Sequence, residues 1–186
     1  MSMNQETMSL VMFVMTESKN EFSRFHAYIS GFPKSFDEYP TCFSDTELEM
    51  LKGSPLHQMV LATRNALKHD FDLLSKSLDM KEYCYQDFVN AKIAVSSRIF
   101  GINIKGVATV AMVPYADMFN HNRPCQTKWY FDDNLKGFCI KATEEIKRGD
   151  QIYDTYGLKS NAEFFRNYGF LIPENERNTY AIRIKL

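Results

Sequence analysis

The spacing of apolar residues changes once along this chain, near Ser97, and that change constrains the fold more than any other feature. Before it, apolar residues recur at three- and four-residue steps, which is typical of amphipathic helices. After it, short runs rich in β-branched and aromatic residues are separated by turn signals, which is typical of paired strands. We therefore expect a helical region over residues 1–96 and a small, mostly antiparallel β region over residues 97–186.

Capping signals locate the helices of the first region. Ser44 and Glu47 form the Ser-x-x-Glu pattern of a capping box, and Pro55 suits the first turn of a longer helix. An earlier helix is expected to carry Phe22 on its apolar face. A last helix is expected over residues 81–96. The inward-facing residues predicted for it are Phe88, Ala91 and Val95.

Strand signals follow in the second region. Residues 107–114 form a run of β-branched and apolar side chains, which predicts a strand that enters a buried loop. Residues 128–131 and 138–142 flank a polar turn and predict a hairpin. Residues 151–156 follow an Arg-Gly-Asp turn and predict another short strand.

The end of the sequence predicts a helix and a strand. Ser160 and Glu163 repeat the capping-box pattern and open a short helix, which is expected to end at Gly169. Residues 179–185 alternate between apolar and polar side chains, which predicts a final strand.

Composition excludes several classes of protein. The chain has 186 residues with 22 basic and 23 acidic side chains, so a net charge of -1 argues against a nucleic-acid partner. No apolar run is long enough to cross a membrane, and no secretory signal is visible. Its four cysteines are widely scattered, so we expect reduced thiols, no metal site and an intracellular protein, cytoplasmic with a nuclear location left open. There is no Gly-rich nucleotide fingerprint.

Three polar groups of residues can carry chemistry. Asp117, Asn120 and His121 place a carboxylate, an amide and an imidazole close together, although a turn that bonds its own backbone explains them equally. Tyr156, followed by a glycine, can project its phenol into a cleft or serve as a half-buried anchor. Arg98 can bind a carboxylate through two hydrogen bonds or form a weak surface ion pair.

In their order, these segments resemble the SET-domain methyltransferases of the branch that includes Rubisco large-subunit lysine methyltransferase and actin-histidine methyltransferase. Residues 43–56 resemble the start of that branch's helical insert, and residues 97–100 resemble its Ser-Arg motif. Residues 117–121 resemble its Asn-His motif, and residues 149–157 its catalytic tyrosine motif. Residues 160–170 resemble the segment that closes the fold. The resemblance implies an α+β fold with small antiparallel sheets and a pseudoknot-type C-terminal half, preceded by a helical insert.

The resemblance also implies a chemistry and a set of roles. It implies S-adenosylmethionine as cofactor, a protein-lysine side chain as methyl acceptor and Tyr156 as the catalytic residue. Arg98 would pair with the cofactor's carboxylate. The implied cofactor-binding residues are Arg98, Asp117, Met118, Phe119, Asn120, His121 and Tyr168. The candidate walls of the substrate channel are Tyr115, Tyr153 and Phe170.

Ala116 bears on the choice of acceptor. The actin-histidine enzyme carries a tryptophan at the matching position, and the Rubisco enzyme a small residue, so the resemblance favours lysine over histidine. A protein-histidine methyltransferase stays open as an alternative.

Part of the family pattern is not matched by this sequence. A SET domain opens with strands that carry a Gly-rich segment, but no glycine occurs here before Gly31. The helical substrate-binding lobe of this branch is not matched either. We therefore expect weak cofactor binding by these residues alone, since sheet edges that are normally paired would lie open. A longer protein, a second chain that completes the fold and a degenerate module that acts in protein–protein interaction are the interpretations left open.

Overall fold

Helices make up the first half of the chain in the computed structural model, which describes residues 4–179. Their bounds are α1 Gln5–Ser18, α2 His26–Ile29, α3 Asp45–Glu49, α4 Pro55–Ser77 and α5 Tyr85–Ser96. The capping box that Ser44 and Glu47 predict is present at α3, and Pro55 stands at the start of α4. None of the helices in the described part is long and apolar enough to cross a membrane.

Two apolar clusters hold these helices together within the described residues: a larger one that includes α1 and α5, and a smaller one in which Leu48 of α3 meets Leu56 and Val60 of α4. α1 packs against α5, and Val11 and Met15 of α1 lie in the same cluster as Phe88 of α5. The residues predicted to face inward from the last helix, Phe88, Ala91 and Val95, are all buried. Because α5 ends directly before the first strand, this core fixes where the β region starts.

The earlier helix is present as α2 and ends before Gly31, but it begins later than predicted, so that Phe22 lies outside it. That side chain is 97% exposed, and α2 begins only four residues later. The Asn20 side chain accepts a hydrogen bond from the Phe22 amide, and the Ser23 hydroxyl accepts one from the Phe25 amide. Such local bonds offer the backbone an alternative to the helix, and here the helix begins only after them.

Within residues 4–179, the strands of the second half form three separate two-stranded sheets. Their bounds are β1 Ile99–Ile104, β2 Val107–Met112, β3 Asn120–His121, β4 Thr127–Asp132, β5 Gly137–Ala142 and β6 Tyr153–Asp154, followed by the helix α6 Asn161–Tyr168. β1 pairs with β2 and β4 with β5, both antiparallel, whereas β3 pairs with β6 in parallel. The strand predicted over residues 179–185 falls outside the described residues except for its first position.

β1, like the two-residue strand β3, was not revealed by the sequence. Its hairpin with β2 turns through Lys105 and Gly106, which have φ values of 50° and 83°. Positive φ at both central residues is the signature of the tight turn that matches the twist of paired strands. Phe100 of β1 then packs edge-on against Trp129 of β4, with ring centroids 5.3 Å apart, and this contact joins the two hairpins.

Candidate active site

The parallel pairing of β3 and β6 brings the Asn-His and tyrosine motifs together. Asn120 lies opposite Tyr153, and His121 lies opposite Asp154. The Asn122 amide continues the ladder by donating to the Asp154 carbonyl at 3.0 Å. Because the two strands run in the same direction, the residues that follow them emerge at the same end of the pair.

Tyr156 follows β6 and is held at both its backbone and its hydroxyl. The hydroxyl donates to the Phe119 carbonyl at 2.8 Å, and the backbone amide donates to Nδ1 of His121 at 3.1 Å. Its ring stacks on Tyr168 with centroids 4.8 Å apart. Burial, and then the neighbouring Tyr168, raise the pKa of Tyr156 to about 12. At neutral pH this side chain is therefore an uncharged phenol in a fixed orientation.

His121 lies behind Tyr156. Since Nδ1 accepts the Tyr156 amide, the ring proton of the neutral imidazole sits on Nε2, which is buried and has no hydrogen-bond partner among the described residues. The imidazole packs against the ring of Phe164 at 4.9 Å. Burial, and then the charge of Arg123, lower the pKa of His121. Both effects keep the imidazole neutral, so that it continues to accept the Tyr156 amide.

Arg98 and Asp117 form a buried ion pair beside Tyr156. Nη1 of Arg98 lies 3.3 Å from Oδ2 of Asp117 and 3.3 Å from its carbonyl oxygen. The Asp117 side chain is 0% exposed and that of Arg98 is 17% exposed. The hydroxyl of Tyr28, on α2, donates to the same Oδ2 at 2.6 Å. Tyr28 was not identified from the sequence, because it lies 89 residues away and belongs to no recognisable motif.

Two cavities next to Tyr156 share part of their lining. The residues shared by the two cavities are Ser97, Arg98, Asp117, Tyr156 and Tyr168. A cavity of about 250 Å³ is lined in addition by Tyr39, Met118, Asn120 and Phe170. A cavity of about 320 Å³ is lined in addition by residues that include Ala116, Phe119 and Trp129. Tyr156 thus lines both cavities.

Most of the residues that the sequence singled out come together here. Among those proposed as substrate walls, Phe170 lines the 250 Å³ cavity on the side of Asn120. Tyr115 and Tyr153 do not line either cavity within the described part of the chain. The side chain of Tyr115 is 84% exposed, and its backbone has a φ of 71°, which is unusual for a residue with a Cβ. The roles predicted for these three residues stay predictions.

Tyr39 is a second tyrosine from the helical region that the sequence did not reveal. It lines the 250 Å³ cavity, and burial raises its pKa. Its ring lies against Gly169, where an added Cβ would come within 3.1 Å of the ring carbons. Gly169, with a φ of 75°, ends α6 as predicted, so glycine is required there both by the turn and by this contact.

In a small polar cluster, Cys125 and Thr127 contact Asp154 of β6. Asp154 is 3% exposed, and burial raises its pKa. The Thr127 hydroxyl donates to the Tyr153 carbonyl at 2.9 Å and lies 3.5 Å from Oδ1 of Asp154. The thiol of Cys125 lies 3.9 Å from the same oxygen. These contacts tie the strand that precedes Tyr156 to β4.

Comparison with known families decides what this arrangement is. The model of the SET domain family matches residues 11–157. This chain belongs to the SET domain family. The match runs through the helices as well as the strands, so the two regions form parts of one family pattern.

Curated relatives in this family differ in what they methylate. The chain is 30% identical to the [fructose-bisphosphate aldolase]-lysine N-methyltransferase of Arabidopsis thaliana, over 96% of this chain and 40% of that protein. It is 27% identical to the ribulose-1,5 bisphosphate carboxylase/oxygenase large subunit N-methyltransferase of Pisum sativum, with 96% and 40% covered. It is 26% identical to the actin-histidine N-methyltransferase of Gallus gallus, with 95% and 31% covered. The chain therefore spans 31% to 40% of the length of these relatives.

Solved structures agree with the SET fold. The SET domain of LSMT bound to lysine and AdoHcy superposes with a TM-score of 0.80 at 26% identity, over 92% of this chain and 42% of that one. Rubisco LSMT bound to AdoMet superposes with a TM-score of 0.77 at 27% identity, with 92% and 41% covered. The α+β fold expected from the resemblance is confirmed.

Proposed function

We propose that this chain is the SET part of an S-adenosylmethionine-dependent protein-lysine N-methyltransferase. The observation that carries the proposal is the position of Tyr156 in the lining shared by two cavities. A transfer reaction needs its two reactants to meet at one point. Residues that line both cavities mark the place where two ligands, one in each cavity, would approach each other. The relatives bound to lysine, AdoHcy and AdoMet support the same chemistry.

The residues around the 250 Å³ cavity fit the proposed cofactor. Nε of Arg98 is buried without a hydrogen-bond partner among the described residues, so the guanidinium has donor capacity left for a carboxylate. Asn120 offers an amide, and Tyr168 and Phe170 offer aromatic faces. S-adenosylmethionine, when bound, supplies a methyl group on a sulfonium. We assign Arg98, Asp117, Met118, Asn120 and Tyr168, which line this cavity, to its binding, and His121 to the support of Tyr156. Phe119, which the resemblance assigns to the cofactor, lines only the 320 Å³ cavity, and its carbonyl accepts the Tyr156 hydroxyl.

Tyr156 is proposed as the catalytic residue. Its hydroxyl proton is already donated to the Phe119 carbonyl, so the oxygen lone pairs remain free to face a polarised C–H group. The pKa of about 12 keeps the phenol neutral, which avoids a charge that would need compensation. The role of Tyr156 is thus alignment and electrostatic stabilisation rather than proton removal.

The 320 Å³ cavity is proposed as the lysine side. Ala116 and Trp129 form an apolar part of its lining, which also includes the charged Arg98, Asp117, Asp154 and Lys159. Burial against the apolar part lowers the pKa of an entering ammonium, which favours the neutral amine. A large side chain in place of Ala116 would occupy this space. We propose that Tyr115 and Tyr153 contact the substrate protein outside the cavity, and that Phe170 lines the passage between the two sides.

The proposed division follows the order of elements along the chain. We take residues 1–96 as the helical insert and residues 97–186 as the C-terminal half of the SET core. The relatives are more than twice as long as the matched segment, so we also propose that a further segment or chain completes the cofactor side. Micromolar binding of S-adenosylmethionine by residues 1–186 alone, measured by calorimetry, would contradict this last point.

Tyr156→Phe tests the catalytic assignment. We expect turnover to fall about 10²- to 10³-fold, as for the loss of a transition-state contact, while cofactor affinity stays close to that of the wild type. Transfer of a tritiated methyl group to cell-extract proteins measures turnover, and calorimetry measures affinity. Tyr130→Phe, at a half-exposed tyrosine of β4, is the matched control. Equal turnover by Tyr156→Phe and wild type would refute the assignment.

The same labelled products show whether the methyl acceptor is a lysine or a histidine side chain. Mass spectrometry is expected to find methyllysine. Products that contain methylhistidine and no methyllysine would overturn the lysine assignment while leaving methyl transfer intact.

A further inference from the structure

Three side chains meet at one carboxylate oxygen beside the cavities. Oδ2 of Asp117 accepts the Tyr28 hydroxyl at 2.6 Å and faces Nη1 of Arg98 at 3.3 Å. The first distance is that of a strong bond to an ionised acceptor, and the second is longer than a good charged pair. Asp117 is therefore bound more tightly by the phenol than by the guanidinium.

The pairing leaves Arg98 only partly neutralised. A full salt bridge between a guanidinium and a carboxylate uses two parallel bonds of about 2.7–2.9 Å. Here Nη1 forms the contacts to Asp117, and Nε is buried without a hydrogen-bond partner among residues 4–179. Arg98 lines both cavities, so its unused donor is available to a ligand bound there.

The bond from Tyr28 is well supported by its surroundings. The ring lies edge-on to Phe32 at 4.9 Å, and the same Phe32 ring lies 4.8 Å from the guanidinium carbon of Arg98. Phe32 is buried, so it fixes the separation between the two groups. Burial, and then the hydrogen bond to Asp117, raise the pKa of Tyr28, so the phenol remains a donor.

We propose that Tyr28 is a positioning residue that holds Asp117 back from Arg98 and so keeps the guanidinium free for the carboxylate of a bound ligand. The inference rests on the proposed function only in taking that ligand to be S-adenosylmethionine. The Asp117 carboxylate and the ligand carboxylate compete for one cation. Tyr28 decides the competition because its hydroxyl holds Oδ2, the Asp117 oxygen that faces Nη1 of Arg98, whereas Oδ1 is buried without a hydrogen-bond partner among the described residues.

Tyr28→Phe tests this by comparing two ligands. S-adenosylhomocysteine carries the amino-acid carboxylate, whereas 5′-methylthioadenosine lacks it. We expect Tyr28→Phe to weaken S-adenosylhomocysteine about tenfold, the size of one hydrogen bond to a charged group, and to leave 5′-methylthioadenosine unchanged. Calorimetry on the protein together with the segment or chain proposed to complete its cofactor side measures both dissociation constants. Equal weakening of both ligands would indicate a merely structural role, and no weakening of either would also overturn the inference.

A second substitution tests the route through Asp117. Asp117→Asn removes the competing charge, so adding Tyr28→Phe to it is expected to cause little further loss of S-adenosylhomocysteine affinity. Effects of the two substitutions that simply add would contradict the proposal. Tyr85→Phe removes another partly buried phenol, packed against Phe71 and outside both cavities, and serves as the matched control.

A ligand-free measurement separates this inference from the proposed function. In Tyr28→Phe, the closer Asp117–Arg98 pair should slow rotation of the Arg98 guanidinium, which side-chain nitrogen NMR detects. Should the wild type bind neither ligand, the proposed cofactor would be wrong, yet slowed rotation would still support the restraint by Tyr28. Unchanged rotation would overturn the restraint whatever the ligands do.

Discussion

The helical region and the strand region of this protein are held together in different ways. In the first, one apolar cluster links α1 to α5, and residues such as Val11 and Phe88 are completely buried. In the second, three separate two-stranded sheets meet, and the buried residues include the polar Thr127 and Asp154. Regular apolar packing supplies stability, whereas the irregular strands leave cavities and directed polar groups where a site can form.

The division is not complete, because two tyrosines of the helical region reach the site. Tyr28 hydrogen-bonds Asp117, and Tyr39 lines the smaller cavity. Substitutions in the helical core should therefore change stability first, and those at the crossing tyrosines should change binding first.

Phe88→Ala is expected to have the largest effect on stability. Truncating a completely buried phenylalanine leaves a cavity and costs about 3–5 kcal/mol of the free energy of unfolding. Urea denaturation measures the loss. Phe22→Ala removes the same side chain from an exposed position and should stay within about 0.5 kcal/mol of wild type. A decrease in the free energy of unfolding of less than about 1 kcal/mol for Phe88→Ala would contradict the inference that the helical core supplies most of the stability.

The two capping boxes offer a sharper version of the comparison. Ser44→Ala and Ser160→Ala each remove a cap that accepts a backbone amide, so each should cost about 1 kcal/mol. α6 carries Tyr168, whose ring stacks on Tyr156, so only Ser160→Ala should also weaken cofactor binding. Urea denaturation and calorimetry on both variants check this. Equal loss of cofactor binding in the two variants would mean that the contact of α6 with Tyr156 does not contribute to binding.

A decrease in pH should produce the smallest effect. Burial lowers the pKa of His121, so the unfolded chain takes up this proton more readily as the pH falls below about 6.5. Protonation then favours unfolding, and stability should decrease from about pH 7 towards pH 5.5. Urea midpoints at several pH values measure the slope.

His121→Asn is the matched variant for this measurement. It keeps an acceptor near the Tyr156 amide but cannot titrate, while Asp154 and the capping glutamates remain in both proteins. Its slope should be flatter than that of the wild type. Identical slopes would show that His121 does not contribute to the pH dependence.

Local signals predicted the ends of elements well. The capping boxes at Ser44 and Ser160, the glycine that ends α6 and the hairpin of β4 and β5 all involve residues within a few positions of one another. Such features depend on hydrogen bonds inside one turn, so neighbouring residues suffice to predict them. Phe22 shows the limit, because side-chain bonds to the local backbone outweighed an apolar spacing that favoured a helix.

Other parts of the fold could not be predicted in this way. β1 was missed because its run of residues is short and its partner lies across a two-residue turn. Tyr28 and Tyr39 were missed because nothing near them in the sequence marks them as polar partners of a distant site. The positions of Tyr115 and Tyr153 relative to the cavities likewise depend on backbone direction, which residue types do not specify.

The sequence alone determined that helices precede strands, where α3 and α6 are capped and which motifs identify a SET domain. These are set by interactions within a turn or between residues next to each other in a strand. The tertiary structure alone decided that β3 lies beside β6, that Tyr156 faces two cavities and that Tyr28 meets Asp117. Those contacts join residues far apart in the chain, and their geometry depends on how whole elements pack.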